Sequence, residues 1–517
     1  MIFAFYGYNE SFAGEAGLAK FQENVAGFIK HTLAQKYNGK SAPRLVLFSP
    51  IAHEFIDSPN LPSKEVVAAS NARLKMYSQA MGEVAKANGV RFVDLFTPTE
   101  ELYRTEKVAV ARDAVVLNGV AHDALMVKRN MPATINGIHI NKTGDWMVGA
   151  FADLSLFPTK KMPDLEARRE SLNAAILDKN FYWYNRYRVT DGYSTYGDRA
   201  FLKFSEGPGG YGDGLSNYSV GQRELDVLDQ LTSNRDVVVW AAAQGKKVEP
   251  IDSALSPFIP VITNKPGPLE GGKHLFLSVQ EAIEKMTVHK NMKVELFADE
   301  TMFPELVKPV QMSFDTKGRL WVACWRTYPH WKPTEKMDDR LLILEDTNND
   351  GKADVCKTFA GDIHNPTGFE FWNGGVLVAQ GPDLLFLKDT DGDDKYDIKE
   401  RLVHGFDTAD THHTINSFVL DPGGAVYMQE GTFHHSQIET PWGPPRRLAN
   451  GGVFRYEPRT QKTDIYVTFG FANPHGHVFD AWGQDIVVDG TGANPFHGPL
   501  FSSQLDYPNK HNRPPQV

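Results

Sequence analysis

The sequence predicts a multidomain protein in which a helical extension joins an incomplete doubly wound α/β domain to an incomplete all-β propeller. We place the α/β domain at residues 1–158, the helical extension at 159–249, a linker at 250–272 and the propeller at 273–517. Three observations support this division. Strand and helix patterns alternate at the start, a stretch rich in Pro and Gly interrupts the chain, and a strand–turn–strand pattern recurs near the end.

The α/β prediction comes from apolar spacing. An apolar run opens the chain at Met1, and a second run occupies residues 45–48. Between them, Phe21, Val25 and Ile29 mark one face of a helix. This alternation predicts a parallel sheet whose ligands bind at the carboxyl ends of the strands. Because the first strand pattern begins at Met1, we expect an inner strand whose neighbour precedes this sequence.

Apolar spacing in the middle of the chain predicts helices. Leu225, Leu228 and Leu231 share a helical face, and the linker that follows is rich in Pro, Gly, Ser and Asn. The aromatic block at 181–188 has two interpretations, a sugar-binding platform or a core between domains. We favour the core, because aromatic side chains with polar tips suit such joints.

The propeller prediction comes from four similar segments, each a strand, a turn with a glycine, and a second strand. Repeats of this length with short strands are typical of propeller blades. Four units are fewer than the about six that we expect for closure, so this domain is predicted to be incomplete. The glycines are Gly318, Gly375, Gly424 and Gly483, which lie 57, 49 and 59 residues apart.

Composition excludes several classes of partner. Lys and Arg (54) against Asp and Glu (64) give a formal charge of −10, which gives no reason to expect nucleic acid. No apolar run is long enough to span a membrane, and the N-terminus lacks a signal-peptide pattern. The two cysteines, Cys324 and Cys356, are compatible with one disulfide or with free thiols.

Two short motifs flank predicted elements of the α/β domain. The first is Gly7-Tyr8-Asn9-Glu10, where a Gly-x-Asn turn after a strand can direct an amide and backbone N–H groups at an oxyanion. The second, residues 136–139, ends in His139, which precedes a helix and can reach over the strand ends as a general base.

In this order the two motifs resemble the third and fifth blocks of the SGNH (GDSL-type) hydrolases. The resemblance implies an oxyanion hole at Gly7 and Asn9, and a general base at His139. Asn136 stands where that family usually has Asp. An Asn can orient the imidazole, but unlike Asp it cannot offset the charge of the protonated ring. The resemblance places the family's nucleophilic serine before Met1. His53, just past a strand end, is expected either to line the cleft or to serve the loop.

Two acidic loops, 43 residues apart, each follow an apolar strand. Oxygen donors clustered in a tight loop suit Ca²⁺ in a structural role, although Asp, Asn and Gly also make good hairpin turns. The candidate ligands are Asp346, Asn348, Asp350 and Asp354 in the first loop, and Asp389, Asp391, Asp393 and Asp397 in the second.

Several histidines are candidate site residues of the predicted propeller. The segments around His413 and Asn473 resemble soluble quinoprotein glucose/sorbosone dehydrogenases. The resemblance implies that His413 deprotonates a sugar hydroxyl, and that Asn473 and His475 contact pyrroloquinoline quinone or the substrate. Ala472 and Ser417 replace two arginines of that family. Alternatively, these histidines are structural residues that face a channel.

The whole arrangement resembles multidomain proteins of planctomycete-type bacteria whose propellers are described as membrane-bound dehydrogenase-like. That resemblance implies an extracytoplasmic carbohydrate-processing protein acting on a carbohydrate or sugar ester. Three functions follow as hypotheses: an ester hydrolase such as a sugar deacetylase, a quinone-dependent sugar oxidoreductase, and a non-catalytic glycan-binding protein.

Overall fold

The computed structural model divides the chain into two compact units. Unit 1 consists of residues 1–163 together with 439–446 and 457–463, and unit 2 contains the remainder. The described residues are 1–104, 115–117, 120–122, 132–157, 168–205, 215–260, 267–328, 331–468 and 470–498. None of the helices among them is long and apolar enough to cross a membrane.

Unit 1 contains a parallel sheet of three strands in the order β1-β2-β3. These strands are β1 (Ile2–Phe5), β2 (Leu45–Phe48) and β3 (Arg91–Val93). A short antiparallel hairpin is formed by β4 (Val115–Leu117) and β5 (Val120–His122). The helices are α1 (Tyr8–Ser11), α2 (Leu18–Ala34), α3 (Lys64–Ala87), α4 (Phe96–Arg104) and α5 (Lys142–Leu156).

The central strand β2 organises the core of unit 1. All four of its residues are buried, as a strand covered on both faces requires. On one face the predicted stripe of α2 packs with Tyr77 and Met81 of α3, both fully buried. The parallel pairing places the ends of β1 and β2 at the same edge, which is where the Gly7 motif begins. The assignment of this sheet to the SGNH type stays a prediction.

The helical part of unit 2 is built on α6 (Arg169–Tyr187) and α8 (Asn217–Ala243). Leu225 and Leu228 of α8 pack with Phe181 and Trp331. Within the aromatic block, Trp183 is 51% exposed, so only part of the block is core. The remaining elements are α7 (Gly192–Tyr196), α9 (Val279–Glu284), β6 (Lys203–Ser205) and β7 (Leu215–Ser216).

The rest of unit 2 forms four propeller-like antiparallel blades, which confirms the predicted all-β architecture. In blade III a two-stranded hairpin, β18 and β19, is inserted between the second and third strands.

Blade I consists of β8 (Pro309–Phe314), β9 (Leu320–Cys324), β10 (Asp339–Glu345) and β11 (Val355–Ile363). Blade II consists of β12 (Phe369–Trp372), β13 (Gly375–Gln380), β14 (Asp383–Lys388) and β15 (Ile398–His404). Blade III consists of β16 (Asn416–Leu420), β17 (Val426–Glu430), β20 (Gly452–Glu457) and β21 (Lys462–Val467). Its inserted hairpin is β18 (His435–Thr440) and β19 (Gly443–Ala449). Blade IV contains β22 (Pro474–Phe479), β23 (Asp485–Asp489) and β24 (Asn494–His497).

Each predicted repeat is the first hairpin of a blade, as the pairing of β8 with β9 and of β22 with β23 shows. In blade I the turn needs a positive φ, and Gly318 adopts 79° there. In blade II the positive φ of 72° belongs to Gly374, and Gly375 is the first residue of the next strand. The repeat glycine is therefore one position away from the residue with positive φ in blade II only, because Gly424 and Gly483 adopt 86° and 81° in blades III and IV.

The two cysteines are free thiols in the structure, which settles the alternative left open by their spacing. Burial raises the pKa of Cys324 to about 12, and burial together with the charge of Glu305 raises the pKa of Cys356 to about 11. Neither thiol is therefore activated as a nucleophile.

Candidate functional sites

The first candidate site, in unit 2, centres on a buried carboxylate between two histidines. Asp410 begins a short turn just before blade III, and its carboxylate lies 2.7 Å from Nδ1 of His412 and 3.3 Å from Nδ1 of His413. Arg199 donates to the same carboxylate at 2.8 Å. The side chains of Asp410 and His413 are 2% and 3% exposed, so this pair is inaccessible to bulk water.

Asn473, which the sequence predicts to be a site residue, contacts His413 directly. Its Oδ1 lies 2.6 Å from Nε2 of His413, and its Nδ2 donates to Thr491 at 2.5 Å. Asp489 accepts the backbone N–H groups of Asn473 and Thr491, both at 3.0 Å. The segment after blade III is thus held against the imidazole of His413. Gly431 allows this close approach, because a Cβ there would lie 3.0 Å from Cβ of His413.

The electrostatics of the site favour an ionised Asp410. Burial alone would raise the pKa of Asp410, but hydrogen bonds from His412 and His413, and their charges, outweigh it and hold this pKa well below its usual range. The charges of His412 and His413 also act on His475. Burial, followed by the charges of His413 and His412, lowers its pKa, although its side chain is largely exposed.

His434 has a structural role beneath this site. It is fully buried, lies 3.2 Å from Glu430 and donates from Nε2 to the backbone oxygen of Asp410 at 2.8 Å. Burial alone would lower the pKa of His434, but the hydrogen bond to Glu430 and its charge raise it. His434 therefore fixes the turn that carries Asp410, as the structural alternative for the histidines requires.

The same turn has the composition of a metal site. Ligand atoms of Asp410, His412 and His413 all lie within 4.8 Å of one another. Two imidazoles and a carboxylate suit a divalent transition metal. Arg199 already provides a positive charge at Asp410, however, and Nδ1 of each imidazole lies within ion-pair distance of that carboxylate. The carboxylate is thus satisfied by protein groups.

The two acidic loops connect the third and fourth strands of blades I and II. In the second loop, carboxylate oxygens of Asp389, Asp391 and Asp397 lie within 4.8 Å of one another. Asp393, also predicted as a ligand, accepts the backbone N–H of Lys395 at 2.8 Å and is not part of that group. The second loop thus concentrates three oxygen ligands, as Ca²⁺ prefers.

The first acidic loop is closed by its own backbone. Asp354 accepts from the backbone and hydroxyl of Thr347, and Asp346 accepts from the backbone N–H of Gly351 at 2.9 Å. Asn348 donates to Asp354, and Asp350 accepts from Lys352. Each predicted ligand of this loop takes part in turn hydrogen bonds, so the turn interpretation accounts for their positions.

The second candidate site, in unit 1, brings the two predicted hydrolase motifs to one carboxylate that the sequence did not indicate. Nδ2 of Asn9 donates to Oε1 of Glu439 at 2.6 Å, and Nε2 of His139 lies 3.8 Å from Oε2 of the same residue. Gly7 opens α1 with a φ of 109° and donates its N–H to Glu10 at 2.9 Å. Its backbone N–H is therefore not directed at a ligand.

Asn136 is oriented by the backbone of its own loop. Its Oδ1 accepts the N–H groups of His139 at 3.1 Å and Ile138 at 3.3 Å. Its Nδ2 consequently faces Nδ1 of His139 at 3.1 Å and donates to Gln461 at 2.9 Å. Since an amide N–H can only donate, Nδ1 of His139 is the acceptor, and Nε2 carries the proton of the neutral ring.

His53 borders this loop. It is 3% exposed, and neither ring nitrogen has a hydrogen-bond partner among the residues that the structure describes. Burial, followed by the charge of Arg73, lowers its pKa to about 4. Gly137 passes so close that a Cβ there would lie 2.7 Å from Nε2 of His53. The cleft and loop roles of His53 both stay predictions.

Glu439 and Gln461 are the functional candidates that sequence reasoning missed. They lie 430 residues from Asn9 and 325 residues from Asn136 along the chain. No local motif surrounds them: Glu439 lies in β18 of the inserted hairpin, and Gln461 lies in the turn before β21. Only the folded chain shows that these positions belong to unit 1.

The comparisons with known proteins concern mainly the propeller. A family described as a domain of unknown function, DUF7133, matches residues 278–516. A comparison with curated protein sequences finds no match. Among solved structures, the PQQ domain of pyranose dehydrogenase from Coprinopsis cinerea is similar, with 14% identity, a TM-score of 0.25, and coverage of 36% of this chain and 44% of that chain.

A gluconolactonase from Xanthomonas campestris is similar, with 17% identity, a TM-score of 0.24, and coverage of 35% of this chain and 54% of that chain. A member of Carbohydrate-Active Enzymes Family AA12 from Trichoderma reesei shows 14% identity, a TM-score of 0.26, and coverage of 40% of this chain and 54% of that chain. The chain thus spans about half the length of these structures. The blade assignment rests on strand pairing in unit 2 itself.

Proposed function

We propose that this is a carbohydrate-processing protein whose propeller unit carries an acid–base site at His413. The observation that carries the proposal is the buried Asp410–His413 contact, 3.3 Å long, with Asn473 on the opposite ring nitrogen of His413. A carboxylate on one nitrogen of imidazole orients the ring and stabilises its protonated form, as a general base requires.

The chemistry then follows from the position of each group. The amide oxygen of Asn473 lies 2.6 Å from Nε2 of His413. Because an amide oxygen can only accept, Nε2 carries a proton there, and this is the proton that the ring would donate to a sugar oxygen and take back as the bound sugar takes the place of Asn473. Arg199, paired with Asp410, keeps the carboxylate ionised while the imidazole gains and loses its proton.

A small cleft lies beside this turn and is bordered by Thr190, His364, Asn365, Asp407, Thr411 and Thr414. The hydroxyl, amide and carboxylate groups of these residues suit sugar hydroxyls as hydrogen-bond partners.

The side chains near His413 do not fit pyrroloquinoline quinone well. That cofactor carries carboxylates, which guanidinium groups would pair with. Ala472 and Ser417 stand at the two positions that would supply them, and the hydroxyl of Ser417 donates to Asn416 at 2.8 Å. Arg199 is engaged by Asp410. We therefore derive no oxidation step, and propose quinone-dependent oxidation only as an outcome of the following test.

The test measures sugar binding and turnover by the full chain. A panel of aldoses and gluconate lactones is titrated calorimetrically. Lactone opening is followed by the acid released, and oxidation is followed separately with a dye acceptor, with and without added quinone. His413→Asn should lower turnover at least about 100-fold, whereas the exposed His435→Asn should not change it. Sugar binding without turnover would identify a glycan-binding protein. Absence of sugar binding would contradict the proposal.

Ester hydrolysis by unit 1 is a second candidate, favoured by the convergence of Asn9 and His139 on one carboxylate. In this role Asn9 stabilises an oxyanion, and His139 acts as base for the serine that the family resemblance places before Met1. The proton on Nε2 of His139 opposes that role, so in a protein that includes the upstream serine Asn136→Asp should increase acetate release from acetylated sugars. Equal release by wild type and His139→Ala would contradict hydrolysis at this site.

An extracytoplasmic location is proposed from the family resemblance alone. Fractionation of the native host, with detection by an antibody raised against unit 2, tests this proposal. Recovery in the cytoplasm would contradict it.

A further inference from the structure

We infer that the Asn9–His139 site of unit 1 is a receptor for a carboxylate group, and that Glu439 is its resident ligand. This inference does not depend on the propeller function or on ester hydrolysis. It depends on which atoms of Asn9, Asn136 and His139 donate hydrogen bonds.

The first step is the direction of the His139 proton. Two backbone N–H groups, of Ile138 and His139, fix the Asn136 amide oxygen. Nδ2 of Asn136 therefore points at Nδ1 of His139, and Gln461 accepts its second hydrogen. Because that ring nitrogen must accept, the neutral ring presents Nε2–H to the site.

The second step is the match between donors and acceptors. Asn9 donates a hydrogen bond to one oxygen of Glu439 at 2.6 Å, and Nε2–H of His139 faces the other oxygen at 3.8 Å, an electrostatic contact longer than a hydrogen bond. Each carboxylate oxygen thus faces an N–H group, as in charge-assisted recognition of a carboxylate. A general base would instead present a lone pair, and a lone pair would repel the carboxylate.

The third step is how the segment that carries Glu439 is held. Tyr8 donates its hydroxyl to the backbone oxygen of Thr440 at 3.1 Å. Burial and then the charge of Glu439 raise the pKa of Tyr8, while the charge of Arg73 opposes them. Arg73 therefore supplies a positive charge to the surroundings that Glu439 occupies. Oδ1 of Asn9 is buried without a hydrogen-bond partner among the described atoms, so its amide N–H is the half that is used.

The geometry predicts that a small free carboxylate takes the place of the Glu439 side chain when that side chain is removed. Acetate is the probe, because it has the size of the deleted group. In the full chain, Glu439→Ala should lower the melting temperature by about 2–4 °C. About 50 mM sodium acetate, compared with sodium chloride at equal ionic strength, should recover at least half of that loss.

Two control variants isolate the site. Glu23→Ala, which removes an exposed carboxylate on α2, should show no specific response to acetate. The double variant Asn9→Ala/Glu439→Ala should lose the acetate response, because the strongest donor is gone. A folded Glu439→Ala protein that ignores acetate would overturn the inference, as would an equal acetate response in wild type, Glu23→Ala and Glu439→Ala.

A second measurement needs no stable variant. Long-range ¹H–¹⁵N spectra of histidine-labelled wild-type protein report which ring nitrogen of His139 carries the proton, with the signal assigned by its loss in His139→Gln. The proton is expected on Nε2 in the neutral ring. A neutral ring protonated on Nδ1 would refute the receptor, and would instead agree with the base that ester hydrolysis needs.

Discussion

Single ionisable side chains in this protein are buried at a measurable energetic cost, and His53 is the clearest case. In the described part of unit 1 no group bonds to its ring, and burial followed by the charge of Arg73 lowers its pKa to about 4. An imidazole in the unfolded chain titrates near about 6.5. Between these two pH values the unfolded chain binds a proton that the folded chain does not.

The free energy of unfolding should therefore fall as the pH drops from about 6.5 to about 4, by about 3 kcal/mol in total through His53. Urea unfolding at pH 7.5 and pH 4.5 measures this loss. His53→Gln should reduce the loss, whereas the exposed His31→Gln, at the end of α2, should leave it unchanged. An equal pH dependence in wild type and His53→Gln would show that another group is responsible.

Asp410 also makes the free energy of unfolding fall as the pH drops, but over a lower pH range than His53. Because the pKa of Asp410 is held below the usual range, its contribution to stability is present above about pH 3.9 and is lost only at lower pH. At pH 7, Asp410→Asn should lower the free energy of unfolding by about 3–5 kcal/mol, since it leaves Arg199 and two imidazoles without their acceptor.

The control for Asp410→Asn is Asp236→Asn, which breaks a half-exposed pair with Lys179. Exposed pairs contribute about 0–1 kcal/mol, so this variant should be close to wild type in urea. Similar losses in the two variants would mean that burial does not set the cost of removing the carboxylate.

At the scale of elements, the second acidic loop is the place where a ligand should stabilise secondary structure. Asp389, Asp391 and Asp397 converge between β14 and β15. Ca²⁺ at about 10 mM should raise the melting temperature by a few degrees if the site binds in the range of extracellular calcium modules. Asp391→Asn should abolish that increase, and Asp393→Asn should retain it. Loss of the response in both variants alike would contradict the assigned ligands.

Sequence periodicity predicted the elements better than it predicted the sites. The four hairpins were predictable because each is local: two apolar strands and a turn within about a dozen residues. In blade II the turn residue with positive φ is Gly374 and not Gly375. The sequence could not distinguish them, because two adjacent glycines are equally able to adopt that conformation. The pair of His413 and Asn473 was named through family resemblance, and the structure places them 2.6 Å apart.

The roles of Glu439 and Asp410 could not be predicted from the sequence, because each depends on a partner far away along the chain. Asp410 precedes His412 and His413 in an obvious cluster, but its role depends on Arg199, which is 211 residues away. Glu439 has no neighbouring motif, and its partner Asn9 is near the other end of the chain. Gly7, predicted to support an oxyanion, donates to Glu10 instead. Long-range contacts of this kind have no local pattern from which they could be read.

At the scale of the whole molecule, unit 1 includes two segments from the part of the chain that otherwise forms blade III. Residues 439–446 and 457–463 should therefore share the stability of unit 1 rather than that of the neighbouring strands. Met81→Ala removes a fully buried side chain of unit 1, which costs about 2–5 kcal/mol.

Hydrogen exchange followed by mass spectrometry checks this expectation. Met81→Ala should accelerate amide exchange in 439–446 and leave β13 of blade II unchanged. The matched variant Met428→Ala, which removes an equally buried side chain from a core of unit 2, should accelerate exchange in β13. If Met81→Ala left 439–446 as protected as in wild type, the division of the chain into these two units would be wrong.

Because segments 439–446 and 457–463 belong to unit 1, this unit cannot be completed until both have been synthesised. The ribosome delivers residue 163 roughly 300 residues before residue 463, which is the last that unit 1 requires. At ordinary translation speeds this interval lasts about 15–60 s. During that time Asn9 and His139 exist without Glu439, and if they are a carboxylate receptor as inferred above, a small cellular carboxylic acid should bind them before Glu439 is synthesised.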